Sequence, residues 1–104
     1  MYARIFRIKA DISRIDEGIE IYQDGYIPAA QQQKGFIEAM LLGDRSTGRG
    51  MAISIWENRE DAKATEQSGF VQQVIGKFTG ILTETPVMES YEIMARAAKP
   101  VRAG

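Results

Sequence analysis

Gly35-Phe36-Ile37-Glu38-Ala39-Met40-Leu41-Leu42-Gly43 and Met51-Ala52-Ile53-Ser54-Ile55-Trp56-Glu57, joined by Asp44-Arg45-Ser46-Thr47-Gly48-Arg49-Gly50, decide how this chain folds. Two short apolar runs separated by turn formers are the pattern of a β-hairpin. The link is too long for a two-residue turn, so Gly48 and Gly50 are expected at the positive-φ positions of a wider loop or bulge. Both runs are apolar on both faces. An antiparallel hairpin with one wet side alternates apolar and polar, so both sides of this one must be covered.

Working outward, Tyr2 to Lys9 (YARIFRIK) reads as a first strand. Asp11 or Ser13 supplies an N-cap, with Asp16 and Glu17 at the positive end of the helix dipole that follows. Ile12, Ile15, Ile19, Tyr22 and Tyr26 recur three or four apart, one apolar stripe of a helix reaching about Gln32. Pro28 predicts a kink or restart near Tyr26-Ile27, and Gly35 suits a left-handed C-cap. Beyond the hairpin, Asn58 is an N-cap for one bent helix or two short ones over residues 59–79, with Ser68-Gly69 at the break. Pro86 can open a strand because its first residue need not donate to the ladder, and Val87 to Ala95 reads as that fourth strand. Residues 1–95 thus form one β-α-β-β-α-β unit, the ferredoxin-like α+β arrangement, with a short tail at 96–104. Its two helices cover one face of a four-stranded antiparallel sheet and leave the other bare.

With 104 residues, 44% of them apolar and 26% charged, the chain has the composition of an ordinary soluble globular domain. A net charge of −1 gives no electrostatic pull towards nucleic acid or anionic membrane. The absence of cysteine removes disulfides and thiolate chemistry; the absence of histidine removes the usual residue of hydrolytic triads, haem ligation and most transition-metal sites. No cofactor is expected. No apolar run approaches a membrane span and no signal peptide is visible, so a cytoplasmic location is expected.

Centring the hairpin loop on Thr47 places Phe36, Glu38, Met40, Leu42, Ala52, Ser54 and Trp56 on one face, with Glu38 opposite Trp56. Ile37, Ala39, Leu41, Gly43, Met51, Ile53 and Ile55 then form the face turned to the helices. A one-residue slip mixes the two sets. In either register large apolar side chains point to the uncovered side, where each is worth about 1.5–3 kcal/mol if buried. A homodimer packed sheet to sheet about a two-fold axis is the expected solution. The competing solution, cover by the tail 96–104, suffers from the tail's short length and polarity.

Gly35-Phe36 opening the second strand, Ile53-Ser54-Ile55-Trp56-Glu57 closing the third, and Ser68-Gly69-Phe70 restarting the second helix resemble the antibiotic biosynthesis monooxygenase domain of the dimeric α/β-barrel superfamily. The resemblance spans residues 2–95. It implies homodimers whose sheets form a barrel, with a pocket between sheet and helices in each subunit. Its enzymes include cofactor-independent monooxygenases of quinol-like aromatics and haem-degrading oxygenases. The haem-degrading branch relies on a histidine of the second helix and an asparagine of the first strand; here there is no histidine, and Asn58 is the lone asparagine. Enzymes of the family that modify autoinducers or sugars also commonly use a histidine.

Four residues are candidate site groups. Trp56 could line a pocket and hold a substrate carbonyl through its indole N–H, or fill the core. Glu38, inside an apolar strand, could be a protonated general acid or base, or pair with Arg4 or Arg7. Tyr22 and Tyr26, one helical turn apart, could orient an aromatic substrate or move a proton, or simply pack. Two functions follow: a cofactor-free monooxygenase-like protein holding a small aromatic or apolar ligand, or a non-catalytic ligand-binding or structural homodimer.

Overall fold

The computed structural model describes residues 1–100. Strand β1 (Tyr2–Lys9) leads into a helical run made of a 3-10 turn (Ile12–Arg14), α1 (Ile15–Ile21), a π-helical turn (Tyr22–Tyr26) and α2 (Ile27–Gln31). The hairpin β2 (Phe36–Gly43) and β3 (Arg49–Trp56) follows, then α3 (Arg59–Gln67), α4 (Phe70–Gly76) and β4 (Val87–Glu92). The sheet order is β2-β3-β1-β4 with every pairing antiparallel. This is the ferredoxin-like arrangement.

Local chemistry explains the helical run. Asp11 caps the 3-10 turn by accepting from the Ser13 amide at 2.9 Å. That tight turn precedes the α-helical stripe and leaves Ile12 exposed, unlike Ile15 and Ile19. Pro28 has no N–H to return to the carbonyl four residues back. The helix widens just before it, and the Ile27 amide bonds to the Tyr22 carbonyl, five residues back. Tyr22, Tyr26 and Ala30 therefore all face the sheet and are buried. At the second helical layer Asn58 accepts from the Asp61 amide at 2.8 Å, and Gly69, at φ +88°, separates α3 from α4.

The hairpin register differs from the one expected. Leu42 pairs with Met51 and Glu38 with Ile55, one residue away from a loop centred on Thr47. A bulge at Ile37 then lets Phe36 pair with Trp56, so Phe36 and Ala39 share a face although three residues apart. The helix-covered face carries Phe36, Ala39, Leu41, Ala52, Ser54 and Trp56; Glu38, Met40, Leu42, Met51, Ile53 and Ile55 lie on the other. Glu38 is thus not opposite Trp56. In the loop only Gly48 takes a positive φ, +79°; Gly50 instead sits where its hydrogen lets the Leu42 carbonyl come close.

The open face keeps Met40, Leu42, Val87 and Tyr91 exposed, Leu42 at 43% and Tyr91 at 55%. Strand β4 ends at Glu92, three residues before the expected Ala95, and the chain then turns across the sheet. The Ile93 amide donates to the Met1 carbonyl, and the Arg96 guanidinium reaches Glu38 Oε1 at 3.3 Å. Glu38 belongs to the far edge strand, roughly 14 Å away across three strand spacings. The segment after β4 therefore crosses the end of the face occupied by Ala3 and Ile55, and Ile55 is buried. The start of the tail does cover part of the sheet; residues 101–104 lie outside the described part of the chain.

Candidate functional site

Between the sheet and the first helical run lies a cavity of about 230 Å³. Phe6, Leu41, Ala52 and Ser54 of the sheet form its floor, and Tyr22, Tyr26, Phe70, Val74 and Phe78 form much of its wall. The walls are mostly apolar because each contributing strand and helix turns its core-facing residues to the same space. Phe70, Val74 and Phe78 stay only half-buried against it.

The buried polar groups of the lining centre on Arg4, while Asp44, Arg45 and Arg49 lie at the hairpin-loop end. Arg4, in the middle of β1, is only 2% exposed. Its Nη1 donates to Thr65 Oγ1 at 2.7 Å and to the Ala62 carbonyl at 3.0 Å, both on α3, with Glu66 Oε2 at 3.5 Å. Its Nε–H has no partner, and neither has the buried hydroxyl of Tyr22. Burial lowers the Arg4 pKa from its usual value, opposed mainly by the neighbouring Tyr26 and Glu66. Burial also pushes the Tyr22 phenol well above its ordinary range, and raises Tyr26, whose shift Arg4's charge opposes. Tyr22 and Tyr26 stack in a tilted pair with ring centroids 5.0 Å apart. Both phenols are therefore neutral hydrogen-bond donors near neutral pH.

Trp56 is fully buried but does not line this cavity. Its ring lies under the Arg4 guanidinium, 5.2 Å away, and edge-on to Phe36. Its indole N–H donates to Ser54 Oγ at 2.9 Å and so is not available for a substrate carbonyl. Glu38 is separated from the cavity by the sheet and is held at the surface by Arg96. Of the four residues singled out from the sequence, the structure brings Tyr22 and Tyr26 together at the cavity, seats Trp56 behind it and puts Glu38 elsewhere. Arg4 and Ser54 are the polar groups missed. An arginine two residues from apolar neighbours on both sides of a strand was the available signal, since a central strand of a covered sheet rarely points a charge inward without purpose.

Among the described residues no cluster of acidic residues is placed to hold a metal ion, and no helix is long and apolar enough to cross a membrane.

No protein-family model matches the chain. It is 36% identical over 95 residues to the uncharacterized protein Rv2557 of Mycobacterium tuberculosis, an alignment covering 91% of this chain and 42% of the relative. A second uncharacterized protein of that organism, Rv2558, is 38% identical over 65 residues, 62% of this chain and 28% of the relative. The chain thus spans less than half the length of the curated relatives it matches. Among solved structures, a Nitrosomonas europaea protein proposed to be an antibiotic biosynthesis monooxygenase superposes with a TM-score of 0.74 at 14% identity, over 91% of this chain and 100% of that one. The haem-degrader MhuD of M. tuberculosis, with two haems in its active site, superposes at 0.73 and 16% identity, over 94% of this chain and all of MhuD. Strand order, helical layer and these superpositions agree: the chain has the antibiotic biosynthesis monooxygenase fold.

Proposed function

We propose that this chain is a cofactor-independent monooxygenase-like protein that takes a small aromatic ligand into the cavity between sheet and helices, and that it works as a homodimer closed through the open sheet face. The observation that carries this reading is the cavity itself, apolar along its walls and lined in part by Tyr22 and Tyr26. At about 230 Å³ it lies below the usual range for drug-sized ligands, which favours one or two rings. The reaction needs a ring carbon bearing two hydrogens. Deprotonation gives an anion that passes electrons to dioxygen; the new carbon–oxygen bond becomes a carbonyl and the second oxygen atom leaves as water. Solvent would take the proton while the Tyr26 hydroxyl donates to the oxygen of the anion, and Tyr22, Phe70 and Phe78 would hold the ring. The exposed Met40, Leu42, Val87 and Tyr91 support the homodimer, since a second sheet would take them out of water.

Oxygen consumption with a panel of one- and two-ring aromatic ketones bearing a ring CH2, such as indanones and tetralones, tests the catalytic step. Uptake that falls at least tenfold in Tyr26→Phe is the expected result. Binding without uptake would leave the other reading, a ligand-binding homodimer, which the lack of a carboxylate at the inner end of the cavity favours.

A further inference from the structure

We propose that the hairpin-loop end of the open sheet face holds a phosphate group between Lys9 of β1 and Arg49 of β3. These two residues are partners in the antiparallel register and project to the face that carries Met51 and Ile53. Side chains placed in this way stand about 5 Å apart at Cβ, and like charges there destabilise a sheet. Arg7, two residues before Lys9, projects to the same side beside Met51. Together with Glu84, Thr85 and Val87 these cations wall a second cavity, of about 210 Å³.

The countercharge around this cavity is incomplete. Arg7 is matched by Glu89, Nε to Oε1 at 2.7 Å. Lys9 reaches Glu84 Oε1 only at 3.9 Å, and that carboxylate is 67% exposed. Arg49, which also borders the larger cavity, forms no ion pair among the described residues. Lys9 and Arg49 therefore share one loosely held carboxylate, and a positive charge is left over. Thr85 adds a hydroxyl-bearing side chain to the same wall. A phosphate carries its charge on oxygens that point in several directions, so cations arriving from two neighbouring strands can each meet one. A planar carboxylate suits a single guanidinium fork instead. Binding would also relieve the repulsion that the register imposes. Every group comes from one chain, on the side of the sheet away from Tyr22 and Tyr26, so the site is independent of what their cavity holds.

The test is calorimetric titration of the full chain with inorganic phosphate and glycerol phosphate at constant ionic strength, alongside thermal unfolding in phosphate and in chloride. Saturable binding in the millimolar range or tighter, weakened at least fivefold in Arg49→Gln and in Lys9→Gln, is the expected result. Both side chains reach solvent, so both variants should fold. Without phosphate, Arg49→Gln should melt no lower than the wild-type chain, because the opposed charge is gone. Binding of glycerol phosphate identifies a small phosphoester as the source of the group. Cosedimentation with vesicles containing phosphatidate, lost in Arg49→Gln, identifies a lipid headgroup that carries the same chemistry. Equal stabilisation of the wild type and Arg49→Gln by phosphate, with no saturable heat, is the general salting effect of the ion and would overturn the site. A dimer that Arg49→Gln dissociates, with no phosphate bound by the wild type, would overturn it too, since the countercharge would then be a carboxylate of the second copy.

Discussion

The guanidinium of Arg4 lies 5.2 Å over the ring of Trp56, whose indole N–H is anchored to Ser54. Charge, ring and hydroxyl thus form one buried stack across neighbouring strands β1 and β3, where Arg4 pairs with Ser54. A cation over an indole is attracted by the ring's negative face, so the stack steadies a charge that burial alone would penalise. Ser54→Ala would orphan the indole N–H and should destabilise the chain by about 1–2 kcal/mol. Urea unfolding followed by Trp56 emission measures it, and a changed emission maximum in the folded state is expected alongside.

Tyr22→Phe should act in the opposite direction. Its hydroxyl is buried with no partner, so removal relieves a desolvation cost and should raise stability by about 1 kcal/mol. A gain in stability would show that the hydroxyl is a cost to the fold rather than a support of it. Denaturation midpoints of the two chains at equal concentration give the comparison.

Stability should fall at alkaline pH. Burial raises the phenol pKa of Tyr22, and that of Tyr26, above their values in the unfolded chain. A raised folded pKa contributes stability fully below the unfolded pKa of about 10, lost as pH climbs past it, because the unfolded phenols ionise first. The urea midpoint should hold level to about pH 9 and drop beyond about pH 10. In the Tyr22→Phe, Tyr26→Phe double variant that drop should be shallower.

Two glycines of the left-handed region separate strain from collision. Gly69, at φ +88°, has nothing near the position a Cβ would take, so Gly69→Ala should cost about 1–2 kcal/mol of backbone strain alone. At Gly48 the same atom would collide with the carbonyl oxygen of Ala10, a backbone group held in place by the Ala10 amide bond to the Gly48 carbonyl at 2.8 Å. Gly48→Ala should therefore be clearly the more damaging of the pair in thermal unfolding.

Met40→Glu and Leu42→Glu place charges on the open face, away from the cavity's inner end. If two copies close through this face, sedimentation of the wild-type chain gives twice 11.6 kDa, and the double variant gives 11.6 kDa with its folded spectrum intact. An unchanged sedimentation coefficient in the double variant would place the contact elsewhere.

The fold was legible because its elements carry strong local signals. Asn58 and Asp11 as caps, Gly48 and Gly69 at breaks, and Pro28 at the helical irregularity all stand where their chemistry demands. The partition of the hairpin was not legible, because β2 is apolar on both faces and nothing in its residues marks Ile37 as the extra one. That single bulged residue moved Glu38 to the outside and kept Phe36 in the core. Arg4 escaped notice for a related reason: YARIFRIK holds two arginines three apart, and the pleat turns one inward and leaves the other on the surface with Glu89.

The widened turn at Tyr22–Tyr26 carries one residue more than a regular coil would need to cover the same rise. Deleting Gln23, an exposed residue there, would let the coil close into ordinary helix without breaking its ladder of bonds. The segments on either side would keep their facing, because the widened turn sweeps about the same angle as a regular turn with one residue fewer. Ile15 and Ile19 would stay on the sheet beside Tyr26 and Ala30, so the extra residue is a local feature of the wall that carries Tyr22 and Tyr26.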